Sequence, residues 1–579
     1  MTWFYRFSLA ILIAVPTLLI VAIVSSFFIS TKRNSDVLYL TYSATIRSLD
    51  PAVCSDEIGR GILANVYETL YVFRETKEGR QLVPNLAVAP PTLSDDGLTL
   101  AIRLRPGVRF YGCSIRKPQD GEELTAEDVV YSWKRVANFA AASANYSILF
   151  QGNIAGIDDW YEYTRKCTLQ GQHIDYTQHV VGLTVKGRYD IHIRLTHRMP
   201  YFSAMLAYAG SAVISRSAAE PIGAPSARLV GTGPYFINSY RPGEVLELRR
   251  NPCWHGWAEE NLQVSKPFES VEYHYFSEPV VAWQAFRQGL FDIATVPKEA
   301  LPELRAQKDT YTDPPIAVFG VDEPNVIGYT FNLNDPIVGP NVELRHAMSM
   351  ALDRAEFVKT LRPDVGLPAY CMIPPAFADH RASNKHSPWL QYDLESARRT
   401  IAAIEKDRGE KLPKLNLLMP GTDIQSRQDA EFFIRQMKMI GLDVKAEYTS
   451  WANFQDRVRN GSVQIFQNGW IAKFPDSMSF YMLFYGPASA EGLNTSHMVN
   501  AEYDNLFRQL LEADPASQLA LRGRMLDIVD YELPWIRVFY PRRFIAFGPR
   551  VEPVPLSFYT LGSLAQIRQR APSHPASPQ

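Results

Sequence analysis

The chain reads as an α/β protein with several sheets and more than one lobe. Three observations predict this. Its 579 residues exceed the roughly 250–300 that one hydrophobic core serves. Period-two and period-3.6 hydrophobic patterns alternate along it. Its 40 prolines and 33 glycines are spread through the length, as expected for many loops between short elements. Hydrophobic residues make up 46% and charged residues 21%, an ordinary globular balance.

Taken in order, the first element is "MTWFYRFSLAILIAVPTLLIVAIVSSFFISTKRNSD". After Arg6 no charge appears until Lys32. That run is longer than the ~7–15-residue core of a cleavable signal peptide. As a helix it would span the ~30 Å of bilayer hydrocarbon. It has no A-x-A cleavage site and no cysteine near its end to carry a lipid. The expectation is an N-terminal membrane helix over 1–35, uncleaved, with Arg6 on the cytoplasmic side. Lys32 and Arg33 pull against that orientation. Removal as a long signal peptide is the alternative, and in both cases the bulk of the chain is exported.

"DDGLTLAIRLRPGVRF" (95–110) places Leu98, Leu100, Ile102 and Leu104 on one face and Thr99, Arg103 and Arg105 on the other. Alternation after Asp-Asp-Gly predicts a turn and then a strand. In "TAEDVVYSWKRVAN" (125–138) the period changes. Thr125 with Asp128 forms a capping box, and Val129, Val130, Trp133 and Val136 mark one helical face. "DIHIRL" (190–195) and "EVLELRRNP" (244–252) are strands. "VELRHAMSMALDRAEFVKTL" (342–361) is expected to be one helix, with Leu344, Ala347, Met348, Ala351 and Leu352 in its stripe. On it Arg345 and Asp353 take structural ion-pairing roles. "AEFFIRQMKMIGLDVKAEYT" (430–449) is a helix ended by Gly441 and followed by a strand. Gly231 and Gly233 suit a tight turn that shapes the backbone, and Trp133 and Trp254 are expected in the core. The tail "APSHPASPQ" (571–579) has the composition of a disordered segment.

Several chemistries are excluded or unsupported. The formal net charge of −2 argues against a general nucleic-acid binder. The five cysteines, Cys54, Cys113, Cys167, Cys253 and Cys371, lack zinc-site spacing. Scattered thiols or one bridge, such as Cys113 to Cys167, both fit. There is no H-E-x-x-H, G-x-S-x-G or phosphate-loop motif, and "GTGPYF" (231–236) is not G-x-G-x-x-G. No metal or cofactor is implied. A Ser-His-Asp set can still assemble in space, so an exported hydrolase stays among the rivals.

A resemblance runs through the chain. It is carried by "SLDPA" (48–52), "ILANVYETLYVF" (62–73), "LVPNLAVAPPTLSDDGLTLAIRLRPGVRF" (82–110) and "LTAEDVVYSWKRV" (124–136). "NIAGIDDW" (153–160), "GTGPYFINSYRPGEVLELRRNPCW" (231–254), "FRQGLFDIA" (286–294), "LRHAMSMALDRAEFV" (344–358), "LPAYCMIPP" (367–375), "GWIA" (469–472) and "LPWIRVFY" (533–540) follow in order. Together they resemble family 5 of the bacterial extracytoplasmic solute-binding proteins, the oligopeptide- and dipeptide-binding subunits of ABC importers. The resemblance implies a two-lobed periplasmic-binding-protein-like clamp with an additional inserted domain. The first lobe would comprise 36–73, 196–318 and 538–570, the inserted domain 74–195, and the second lobe 319–537. It implies closure over a small ligand, handed to an ABC transporter permease by a monomer tethered to the cytoplasmic membrane on its outer face. A membrane-anchored sensor without transport is the alternative.

In peptide-binding members the segment resembling "GWIAK" (469–473) reads Gly-Trp-x-Ala-Asp. Its aspartate holds the ligand's α-ammonium, and the backbone of the Gly and of the residue after Trp pairs with the peptide like an added strand. The resemblance therefore implies ligand-binding roles for Gln467, Gly469, Trp470, Ile471 and Lys473. Here the carboxylate has become an ammonium. At ~4 Å and an effective dielectric near 20 it would repel an α-ammonium by about 4 kcal/mol, nearly three powers of ten in affinity. An acidic ligand would suit a cleft-facing Lys473 better. A solvated Lys473, and one paired with Asp476 or another acid, are the other two readings.

Overall fold

The structure is a computed structural model that describes residues 33–570 apart from 44–45, 47, 55, 77–78, 115–116, 200, 220–221, 223–229, 259–266, 307–315, 382–386, 473, 490–492 and 555–563. The expected membrane helix falls outside the described residues except for its last three, and the expected disordered tail falls wholly outside. Among the described residues no helix is long and apolar enough to cross a membrane.

A 12-stranded sheet organises the molecule. Its strands are β1 (Val37–Tyr42), β2 (Tyr235–Arg241), β3 (Val245–Arg250), β4 (Ser270–Tyr275), β5 (Ile293–Thr295), β6 (Ala317–Asp322), β7 (Asn325–Phe331), β8 (Gly366–Pro368), β9 (Leu415–Met419), β10 (Val444–Tyr448), β11 (Ile465–Ile471) and β12 (Trp535–Phe547). The spatial order is β2-β3-β4-β1-β5-β12-β7-β11-β9-β10, with β6 and β8 also on β12. β12 belongs to both halves. Its first part pairs with β7, from Thr330 opposite Trp535 to Ile327 opposite Phe539. Its last part pairs with β6, from Asp322 opposite Arg542 to Ala317 opposite Phe547. The chain thus crosses between halves at Tyr540–Arg542 and again at Asp322–Asn325.

Charge lies at both crossings. Arg542 Nε is 2.6 Å from Asp322 Oδ1. Arg543 bridges Glu323 (3.0 Å) and Glu57 (2.5 Å). A separate four-stranded sheet runs Thr92–Leu93, Thr99–Arg103, Asp190–Arg194, Leu183–Gly187. Leu100, Ile102 and Leu104 are buried there, as the alternation predicts.

The helices follow their signals with two corrections. α1 (Glu57–Val66) is capped by Asp56, whose side chain accepts from the Gly59 N–H. α2 (Ala126–Val136) carries the capping box: the Thr125 N–H donates to Asp128 Oδ2 at 2.9 Å. Trp133 is fully buried on it. The run 342–361 is not one helix. It breaks into α3 (Val342–Ala351) and α4 (Arg354–Leu361), because Asp353 N-caps the second by accepting from the Glu356 N–H. Asp353 is thus a cap rather than an ion-pair partner. Arg345, 2% exposed, donates to the Val338, Gly339 and Glu532 carbonyls and lies 3.6 Å from the Glu532 carboxylate. α5 (Ile424–Lys438) starts earlier than its apolar stripe suggests, from an Asp423 cap, and Gly441 follows at φ +88°. α6 spans Pro515–Glu532.

Gly231 and Gly233 do shape the backbone. A Cβ at Gly231 would stand 2.1 Å from the Val66 carbonyl oxygen, and one at Gly233 2.6 Å from that of Asn65. The approach to β2 passes the end of α1 at a distance only glycine allows. Trp254 departs from expectation: it is only partly buried, and its Nε1 donates to the buried Glu68 carboxylate at 2.9 Å. Cys54, Cys167, Cys253 and Cys371 are free thiols, so no bridge joins Cys113 to Cys167.

The first described residues are fastened down. Arg33 Nη2 donates to the buried Asp292 at 2.9 Å, and its guanidinium lies 4.6 Å from the centre of the Tyr39 ring. Arg550 donates to the carbonyls of Asn34 and Val37 at 3.0 and 3.1 Å.

Candidate functional site

β11 carries the motif Gly469-Trp470-Ile471. It pairs along its whole length with β7, antiparallel, from Phe331 opposite Ile465 to Asn325 opposite Ile471. On its other side β9 reaches only Ile465 and Phe466. Beyond Phe466 no strand among the described residues pairs with that edge.

Which backbone groups face the open edge follows from the ladder. The Ala472 N–H donates to the Pro324 carbonyl at 2.9 Å, and the Gln464 carbonyl accepts from the Asn332 N–H at 3.0 Å. Even-numbered residues therefore bond toward β7. Antiparallel strands alternate, so the N–H and C=O groups of Gln467, Gly469 and Ile471 point the other way. The Gly469 N–H accordingly donates to no strand but to the neighbouring Asn468 Oδ1, at 2.9 Å. Gly469 is exposed and bears no side chain to cover the edge. An extended ligand could add there as one more strand.

The predicted residues separate by face. Gln467 is buried, and its Nε2 donates to Asp429 Oδ2 at 2.9 Å. Asp429, on α5, also accepts two bonds from Arg362 Nη2, at 2.9 and 2.7 Å. Burial pushes the Asp429 carboxyl up, while Arg362 and Gln467 pull it back toward the charged form. The Gln467 side chain thus anchors β11 to a buried ion pair, while its backbone faces the open edge. Trp470 is half-buried on the opposite face, with Nε1 donating to Ser479 Oγ at 2.9 Å. Ile471 is partly buried, opposite Asn325. Lys473 lies outside the described residues.

Beyond Lys473 stands a polar cluster that sequence reasoning missed. Asp476 Oδ1 accepts from Arg522 Nη2 at 3.1 Å and from the Met478 N–H at 2.8 Å. Arg522 Nη1 donates to Ser477 Oγ at 2.8 Å and lies 3.7 Å from Asp379. Asp379 Oδ2 accepts from Ser477 Oγ and the Tyr481 hydroxyl, at 2.6 and 2.9 Å. Burial, with Asp379 beside it, holds the Tyr481 hydroxyl well above its usual range, so it remains a donor. Arg522 comes from α6 and Asp379 from the 369–381 loop. No local sequence pattern links them to the Gly-Trp motif.

An aromatic contact lies nearby in the chain, just before this cluster. Tyr201 stacks on Phe474, and both rings are buried. Among the described residues no group of three or more His, Cys, Asp or Glu side chains could hold a metal ion.

Comparison with known proteins bears on the family and the fold. The family model described as Bacterial extracellular solute-binding proteins, family 5 Middle, matches residues 81–492. The chain is similar to the periplasmic oligopeptide-binding protein OppA of Escherichia coli, 23% identical and covering 88% of each chain. It is also similar to the probable deoxycholate-binding periplasmic protein YgiS of Escherichia coli, 22% identical over 88% of this chain and 89% of that one. Among solved structures, the periplasmic binding protein DppA of Helicobacter pylori in complex with the peptide STSA superposes with a TM-score of 0.72. That likeness, at 20% identity, covers 92% of this chain and 98% of the other and shows the fold.

Proposed function

The chain belongs to family 5 of the bacterial extracellular solute-binding proteins, and on that premise we propose that it captures a small extended ligand between two lobes and delivers it to an ABC importer outside the cytoplasmic membrane. Relatives named for oligopeptides and for deoxycholate leave the ligand class to the site itself. The open edge of β11 carries the reading. Its outward backbone groups at Gln467, Gly469 and Ile471 match the hydrogen bonds an extended peptide offers, and Trp470 supplies a wall. No chemical step belongs to this reading.

The lobes follow the division given above, 36–73, 196–318 and 538–570 against 319–537, with 74–195 as the added unit. The crossings near 322–325 and 540–542 fit a hinge between them. Closure is then a population shift, favoured by a ligand that touches both lobes only when they close. The uncharged run before Lys32 supports anchoring in the membrane, next to the fastened Arg33. Lys473 turns the ligand preference away from a free α-ammonium and toward an acidic or acylated end.

The test is native mass spectrometry of the full chain in detergent, followed by thermal shifts with free peptides, N-acetylated peptides and acidic solutes. Stabilisation by acidic or acetylated ligands, reversed toward free peptides in Lys473→Asp, supports the reading of Lys473. Equal stabilisation by free peptides, unchanged in that variant, leaves peptide capture standing and removes the lysine from it. No stabilisation by any of them rejects peptide-like ligands.

A further inference from the structure

We propose that the outer face of the helix Pro279–Arg287, with Leu290 after it and the edge strand β6 beside it, rests on the surface of the lipid bilayer. The inference rests on the anchoring reading above and says which side of the folded protein the bilayer covers.

The helix Pro279–Arg287 connects β4 to β5. Ala282, Trp283 and Phe286 are buried on its inner face. The two rings share a hydrophobic cluster with Ala294 of β5 and Ala546 of β12. The other face shows Val280 and Val281 to solvent, and Leu290 follows, also exposed. On β6, Val318 stands opposite Ala546, which in turn stands opposite Ala294. Directly opposed residues share a face of the sheet, so Val318 lies on the helix's side of it. These four apolar residues are 36–54% exposed. Apolar residues exposed singly need no explanation, whereas a group of them on one side of a sheet marks a contact surface.

What covers this side follows from where the chain enters it. Arg33 Nη1 donates to the Gly289 carbonyl, one residue before Leu290, and Nη2 donates to Asp292 at 2.9 Å. The uncharged run ends at Thr31, which the chain holds within about 7 Å of Arg33. A bilayer entered by that run passes beside Leu290. The helix is nine residues long, about 13 Å, so Val280 and Val281 stand at its far end from the tether. Charge near the tether does not oppose the contact. Asp292 is shared by Arg33 and Arg550, at 2.9 and 3.6 Å, and Glu303 pairs with Arg287 at 2.9 Å. Four apolar side chains would hold a free protein on lipid only weakly. The tether makes the contact intramolecular and raises its local concentration, so a small patch suffices.

The test uses the full chain in nanodiscs of phosphatidylethanolamine and phosphatidylglycerol. Cys113→Ser and Cys253→Ser clear the background, and Cys54, Cys167 and Cys371 are buried. An environment-sensitive NBD label is placed through Val281→Cys, through Leu290→Cys and, for comparison, through Leu519→Cys on α6, which is also exposed. Emission from the labels at 281 and 290 is expected to shift to the blue and to be quenched by a lipid with a nitroxide on its headgroup, while the label at 519 is unaffected. Quenching at 290 alone reports only the nearby tether and overturns the proposal. Equal quenching at all three sites is adsorption without orientation and overturns it too. A label at 281 that is blue-shifted but unquenched lies against protein, such as a second copy of the chain, and overturns the assignment to lipid. If the chain does not enter nanodiscs, anchoring and this inference fall together; if it enters and neither label is quenched, only this inference falls.

Discussion

The ring of Tyr201 lies on the ring of Phe474, with centroids 6.0 Å apart and planes 8° from parallel. Phe474 follows β11, and Tyr201 opens the short helix Phe202–Met205. Both rings are buried, within one hydrophobic cluster. Tyr201→Ala and Phe474→Ala should each destabilise the protein. A double-mutant cycle in urea should give a coupling of about 0.5–1.5 kcal/mol beyond the two single effects. A coupling of zero would mean that the rings touch without stabilising each other.

The Arg362–Asp429 pair with Gln467 predicts graded losses. Arg362→Met leaves the Asp429 carboxylate buried without its cation, which should cost about 3–5 kcal/mol. Gln467→Leu removes one of three bonds to that carboxylate and should cost about 1–2 kcal/mol. Urea midpoints order the two variants. The opposite order would mean that Gln467 matters more at the open edge than beneath it.

Thiol chemistry separates the cysteines. Burial, with Asp56 adding to it, pushes the Cys54 thiol up to about 12. At pH 8 only about one such thiol in 10⁴ is thiolate, the form that reacts. Cys253 is exposed. Iodoacetamide should therefore modify Cys253 before Cys54, with Cys54 unmodified until urea unfolds the chain. Peptide mapping by mass spectrometry reads this, and early labelling of Cys54 would show that its surroundings open in the native state.

Lys134 gives a pH dependence with a definite sign. The residue is 3% exposed, and its ammonium donates to the Tyr176 and Gln178 carbonyls and lies 4.1 Å from the centre of the Trp160 ring. Burial brings its pKa down from 10.5 to about 8. Between those values the unfolded chain binds the extra proton, so this lysine's contribution to stability rises with pH from about 8 to 10.5 and is lost below. Lys134→Met should flatten that part of the stability curve relative to the wild type. An unchanged slope would assign the slope to other groups.

Sequence periodicity reached the local elements because each is built from neighbours. Thr125 and Asp128, or Gly441 after its helix, are decided within one turn of chain. The break at Asp353 was hidden because the apolar stripe continues through it, and only the cap reveals two helices. The Gly-Trp motif located the strand, and the ladder then showed that Gln467, Gly469 and Ile471 face outward together. What the side chain of Gln467 holds was not legible, since Asp429 and Arg362 arrive from other elements. Arg522 and Asp379 were missed for the same reason: nothing near them in the chain says what stands beside them in space.

β12 lies at the centre of the sheet and completes both halves, yet it follows every other described strand in the chain. Until residues 535–547 emerge, β5 and β6 on one side and β7 and β8 on the other lack a common neighbour. Both parts of the sheet therefore share one strand, so loss of the β12 pairings would open them together.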